Sequence, residues 1–148
     1  MKIPEYISKT EVQRVCKELG LSDWTLLTES KVSVDEAQII QKEVGEEALL
    51  IEAEEFQKGL EVELEHGIQF PDANVTNNHP LLTGLIVLAH LKEMLDYYIR
   101  LEVAEIQGDM FKAMLANNPE KMVKKYQQYL TAQAELSARE QSQCPDLK

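Results

Sequence analysis

The chain has 148 residues, 44% of them hydrophobic, and a formal net charge of -11. That length supports one domain with a real core rather than two. The charge argues against nucleic-acid binding, which needs clustered Lys and Arg to displace counterions, and the one basic cluster, Lys121, Lys124 and Lys125, is small. Aromatic residues make up 6%, and Glu, Lys, Gln, Leu and Ala are abundant, a mixture that favours helix over sheet. The expectation is an all-α fold: a single compact bundle of about five helices.

Ser8 opens "SKTE" and Ser33 opens "SVDE", two capping-box patterns, each followed by an apolar stripe that stops at a glycine, Gly20 or Gly45. Set 25 residues apart, the two 13-residue stretches share Ser, Glu, Gln, Lys, Glu and Gly. They read as two similar helix–Gly units over 8–45, either a duplication or two independently capped helices. Two copies are too few for a solenoid. A third helix is expected over 52–66, with Ala53, Phe56, Leu60 and Leu64 inward and Gly67 as its stop. The segment 67–79 reads as loop; its Asn74-Val-Thr76 sequon is an accident in a cytoplasmic chain.

Pro80 suits a first helical position, and the helix predicted over 80–106 is apolar nearly all round in its first half, so it is placed at the centre. Asn118 and Pro119 then start a last helix over 119–140 with a thin stripe of Met122, Tyr126, Tyr129 or Leu130, and Leu136. A stripe that narrow packs weakly or pairs with a second copy, so a homo-oligomer is the expected assembly. The longest apolar run, 81–91, is about half of what a bilayer requires, and the N-terminus lacks a secretion signal. Cys16 falls on an apolar stripe and Cys144 in a polar tail, which suits a reducing compartment. No membrane association and a cytoplasmic location are expected.

One constellation carries chemistry. "LEVELEHG" sets Glu63 three residues before His66, and "AHLKE" sets His90 three before Glu93. Residues three apart share a helix face. Helix-borne Glu/His pairs build di-iron and di-manganese sites, and imidazole with carboxylate suits iron, manganese or zinc. At about 100° per residue, Glu63 borders the buried face, His66 lies on its flank, His90 sits beside the apolar strip and Glu93 turns toward the polar side. Each residue also has a plainer explanation. His90 reads as a core histidine held by one hydrogen bond, and His66 as a cation at a helix C-terminus. Glu63 belongs to a stretch, 43–65, with nine acidic residues and one Lys, which reads as a solvated face. His79, at the head of a helix, reads as a cap or turn residue. With no phosphate loop, Cys-x-x-Cys or nucleophile elbow, no catalytic residue is assigned. Two functions stay open: an interaction module with a protein partner, placed first, and a metal-binding protein using Glu63, His66, His90 and Glu93.

Taken together, "FQKGLEVELEHG" and "NVTNNHPLLTGLIVLAHLKEMLDYYIRLE" resemble a family of small bacterial proteins of unknown function. The resemblance covers about residues 33–105 and implies an all-helical fold with a core helix pair over 52–106. It lends no activity. It places Glu63, Glu65, His66, His90, Glu93, Tyr97 and Tyr98 on motif positions. The family pattern has proline where Leu95 stands and aspartate where His79 stands, so a kink after Glu93 is implied for relatives and left open here.

Overall fold

A computed structural model describes residues 4–144. Among the described residues there are six α-helices: α1 (Lys9–Leu19), α2 (Val34–Val44), α3 (Ala53–Gln69), α4 (Pro80–Glu93), α5 (Tyr97–Leu115) and α6 (Pro119–Gln143). Short 3-10 turns follow α1 and α2 at Trp24–Leu26 and Ala48–Leu50. There is no strand among the described residues, so the all-α class holds. The chain divides into two compact units, Met1–Lys92 and Glu93–Lys148.

In the first unit, α1 and α2 begin alike. Ser8 accepts from the Glu11 amide and Ser33 from the Glu36 amide, both at 3.2 Å, which satisfies one orphan donor at each helix start. They end differently. Gly20 takes a left-handed conformation (φ 70°), and the Leu21 amide reaches back to the Cys16 carbonyl at 2.8 Å, a Schellman closure. Gly45 takes a positive φ of 129° with ψ 175°, a region that essentially only glycine visits, and the turn after it is held by a buried side chain instead. Gln41 donates to the carbonyls of Ala48 and Ile51, both at 3.0 Å. The core of this unit contains Val12, Trp24, Ile40, Phe56, Leu60 and Val87, all fully buried.

Gly84 lets α4 settle on α2. A Cβ there would stand 2.7 Å from Ile40 Cγ2 and 2.8 Å from Val44 Cγ2, closer than packed carbons come. On the other side, α3 pins the segment before α2. The Gln57 amide donates to the Val32 carbonyl at 2.6 Å, and Glu61 accepts from the Val32 amide at 3.1 Å. One member of the acidic run is therefore a structural hydrogen-bond acceptor and not a solvated charge.

Two predicted boundaries are corrected. The helix expected over 52–66 runs on through Gly67 to Gln69. Gly67 does not stop it; the missing side chain makes room for the loop that follows. The helix expected over 80–106 is two helices, broken at residues 94–96. Neither Gly nor Pro marks the break. Asp96 sits at the N-cap of α5, and its carboxylate takes both Arg100 Nε and Nη2, at 2.9 and 2.8 Å, across the first turn. A bidentate acid–guanidinium pair at a helix start fixes that start. The chain turns here without a proline. No single helix over 80–106 exists for a bundle to surround. α4 buries Thr83, Val87, Leu88 and Leu91 but leaves Leu85 and Ile86 exposed.

The second unit is a helical hairpin of α5 and α6. Asn117 turns the chain at φ 51°, Asn118 accepts from the Lys121 amide at 2.9 Å, and Pro119 fills the first helical position. Ile99, Val103 and Ile106 meet Ala132 and Leu136, with Met110 and Tyr129 packed on them. The spacing of four, three and four is the heptad arithmetic of two antiparallel helices. Tyr129 faces α5 and Leu130 faces out, and the buried residues of α6 are Ala132 and Leu136.

Candidate functional site

Glu63 projects from α3 and His90 from α4, and their side chains meet: Glu63 Oε1 lies 3.6 Å from His90 Nε2. Both side chains are largely buried, at 20% and 32% exposure. An ion pair forms there whenever the imidazole is protonated, in a setting less screened than open surface. His66, one turn beyond Glu63, is exposed. It shares with Glu63 the wall of a cavity of about 270 Å³ between the end of α3, the loop after it and α4. Glu93 is exposed at the last position of α4. Among the described residues, no three His, Cys, Asp or Glu side chains form a group that could hold a metal ion. A zinc site draws three or four protein ligands, so the Glu63–His90 pair alone is short of one.

Sequence reading missed the loop that builds this cavity. Asn74 donates to the Gly67 carbonyl at 3.1 Å and to Asn78 Oδ1 at 2.8 Å. Thr76 donates to Asn74 Oδ1 at 3.3 Å. The sequon residues are thus a hydrogen-bonded clasp on the end of α3. Asn77 and Asn78 both take positive φ, 49° and 60°, the conformation asparagine tolerates best among residues with a side chain. Two adjacent asparagines before His79-Pro80 were the available signal. The cavity rim is apolar, with Phe70, Val75 and Ile86 exposed around it. His79, read as a cap, is buried, and its Nδ1 accepts weakly from the Leu82 amide at 3.4 Å. Burial holds its imidazole below the usual histidine range, opposed by the Glu11 carboxylate.

The hairpin carries a second candidate surface. One flank is polar: Lys125 pairs with Asp109 at 2.8 Å, and a groove beside it is lined by Glu102, Gln128, Thr131 and Glu135. At about 100° per residue from the packed seam, the opposite flank receives Phe111 and Met114 from α5 and Val123, Tyr126 and Leu130 from α6. Leu115 lies at its edge. Each is about half exposed or more, from 49% at Tyr126 to 69% at Leu115. The same wheel continues this flank with Gln107, Gln133 and Ser137, so no charge falls on it from 107 to 137. Charge divides along the hairpin instead. Residues 111–130 hold four Lys against one Glu, a net of +3, whereas 93–110 and 131–144 hold two Arg against seven acids, a net of -5.

No described helix is long and apolar enough to cross a membrane. A family model, described as "Protein of unknown function (DUF5661)", matches residues 12–107, and the chain belongs to that family. Neither a curated protein nor a solved structure matches it.

Proposed function

We propose that this member of the DUF5661 family is a non-catalytic interaction module, with the first unit as a folded platform and the α5–α6 hairpin as its contact element. The observation that carries this is the uncharged apolar flank of Phe111, Met114, Val123, Tyr126 and Leu130. Large apolar side chains gathered on one face of a soluble protein mark an association surface. The polar flank, with the Lys125–Asp109 pair, supplies the internal comparison. A photo-crosslinking residue at Tyr126 is expected to capture protein in living cells, and one at Thr131 on the opposite flank is not. Absence of adducts at Tyr126, or equal adducts at both positions, refutes the proposal.

The Glu63–His90 pair favours a second reading: a divalent iron, manganese or zinc ion bound from Glu63 and His90, with His66 and Glu93 as the further ligands. Elemental analysis of untagged protein tests it. Stoichiometric metal that is lost in both His66→Ala and His90→Ala supports it. A metal-free, folded protein whose melting temperature ignores divalent ions rejects it, because a ligand of the native state stabilises that state.

A further inference from the structure

We infer that the partner of the hairpin flank is a second copy of this chain, laid face to face and antiparallel, so that two hairpins close into a four-helix bundle. This rests on the hairpin being the contact element and goes further by naming what it contacts.

Area is the first reason. Six large side chains about half exposed, at roughly 200 Å² for an aromatic and somewhat less for an aliphatic, offer roughly 600 Å² per copy, or about 1,200 Å² in a pair. That reaches the lower bound of specific interfaces. A patch of this size is enough for a two-fold pairing and leaves little to spare for a smaller one.

Charge is the second. Self-pairing of a charged flank would strand like charges against each other, but this flank carries none from 107 to 137. The hairpin's ends differ in sign, +3 at the turn and -5 at the open end. A parallel pair sets like ends together. An antiparallel pair, with its two-fold axis lying in the plane of the flank and at right angles to the helices, sets each basic turn beside the partner copy's acidic end. The same operation lays α5 of one copy over α5 of the other and α6 over α6, so that the two apolar flanks face each other.

The matched family region stops at Gln107, before Phe111. The inference therefore concerns this chain's own hairpin turn rather than the family at large.

Sedimentation equilibrium of the full chain tests it. Twice the chain mass is expected at concentrations of about 100 µM in about 0.1 M salt. Phe111→Glu and Leu130→Glu should each weaken the pairing at least about tenfold, as a charge buried in an apolar interface does. Thr131→Glu, one residue away on the polar flank, should leave it unchanged, and circular dichroism should show all three folded. Raising salt to about 1 M should weaken the pairing, because it screens the end-to-end attraction.

A monomer under these conditions overturns the inference, as does a dimer indifferent to both flank substitutions. Strengthening at high salt overturns the antiparallel arrangement. A monomer whose Tyr126 position still crosslinks to a different protein sinks this inference while leaving the interaction-module proposal standing. No crosslink of any kind sinks both.

Discussion

Gly67 and Gly108 pose the same chemical change in two helices with opposite expected signs. Adding a methyl to a helical glycine ordinarily stabilises by about 0.5–1 kcal/mol, because the unfolded chain loses freedom it would otherwise regain. Gly108, exposed in α5, meets nothing within 4 Å of an added Cβ, so Gly108→Ala should show that gain. At Gly67 the added Cβ falls onto Asn78 Oδ1 and lies 2.9 Å from Asn74 Nδ2. Neither side chain is free to swing, since Asn74 is tied both to the Gly67 carbonyl and to Asn78. Asn78 is further fixed by its left-handed backbone. Moving the clasp breaks two hydrogen bonds, each about 1 kcal/mol net, and strains the turn, so Gly67→Ala should cost about 1–2 kcal/mol after its helix gain is subtracted.

The first unit has its own reporter, because Trp24 is the only tryptophan and is fully buried. Urea unfolding followed by its fluorescence should show the Gly67→Ala midpoint lower by about 0.5–1 M at a slope of about 2 kcal/mol/M. Helical circular dichroism should show Gly108→Ala at or above wild type. A Gly67→Ala midpoint equal to or above wild type would refute the claim that the glycine is kept for the loop's approach.

Gly84→Ala should destabilise the first unit by about 1–3 kcal/mol, since its Cβ would overlap Ile40 and Val44; the same tryptophan assay reads it. Gln41→Leu should cost about 1–3 kcal/mol, because the Ile51 carbonyl loses its side-chain donor and the Ala48 carbonyl is left with the Ile51 amide alone. His79 makes the first unit sensitive to mild acid. Its folded pKa is depressed by burial, so the unfolded chain binds the proton more readily, and its contribution is complete above the unfolded value near 6.5. Stability should fall as pH drops from about 6.5 through the lowered folded value, and His79→Asn, which keeps a capping side chain without the titration, should flatten that slope. An unchanged slope would remove His79 as its source. Losses from the depressed carboxylates Glu11, Asp23 and Asp109 belong to a more acidic window and should persist in the variant.

What could be read from the sequence was local. Ser8, Ser33, Asn118 and Pro119 act within one helical turn, so pattern alone locates them. The break before α5 was local too, in the Asp96–Arg100 spacing, but an apolar periodicity running across it masked the signal. Gly67 misled for a different reason: glycine after an apolar stripe is the common helix stop, and what overrides it is Asn78, eleven residues on, arriving through a loop whose path no periodicity encodes. The site divides the same way. A helical wheel put Glu63 at the edge of its helix's buried face and His90 beside an apolar strip, and these two meet, whereas it turned Glu93 to the polar side, where it is exposed. The wheel could not show the height at which α3 and α4 cross, and that height determines whether a Glu/His pair gains a third ligand. On α6 the choice between Tyr129 and Leu130 depended on the register of α5. Once Tyr129 takes the seam, Leu130 and Tyr126 are left outside with Phe111 and Met114, so the register that closes the hairpin also creates its apolar flank.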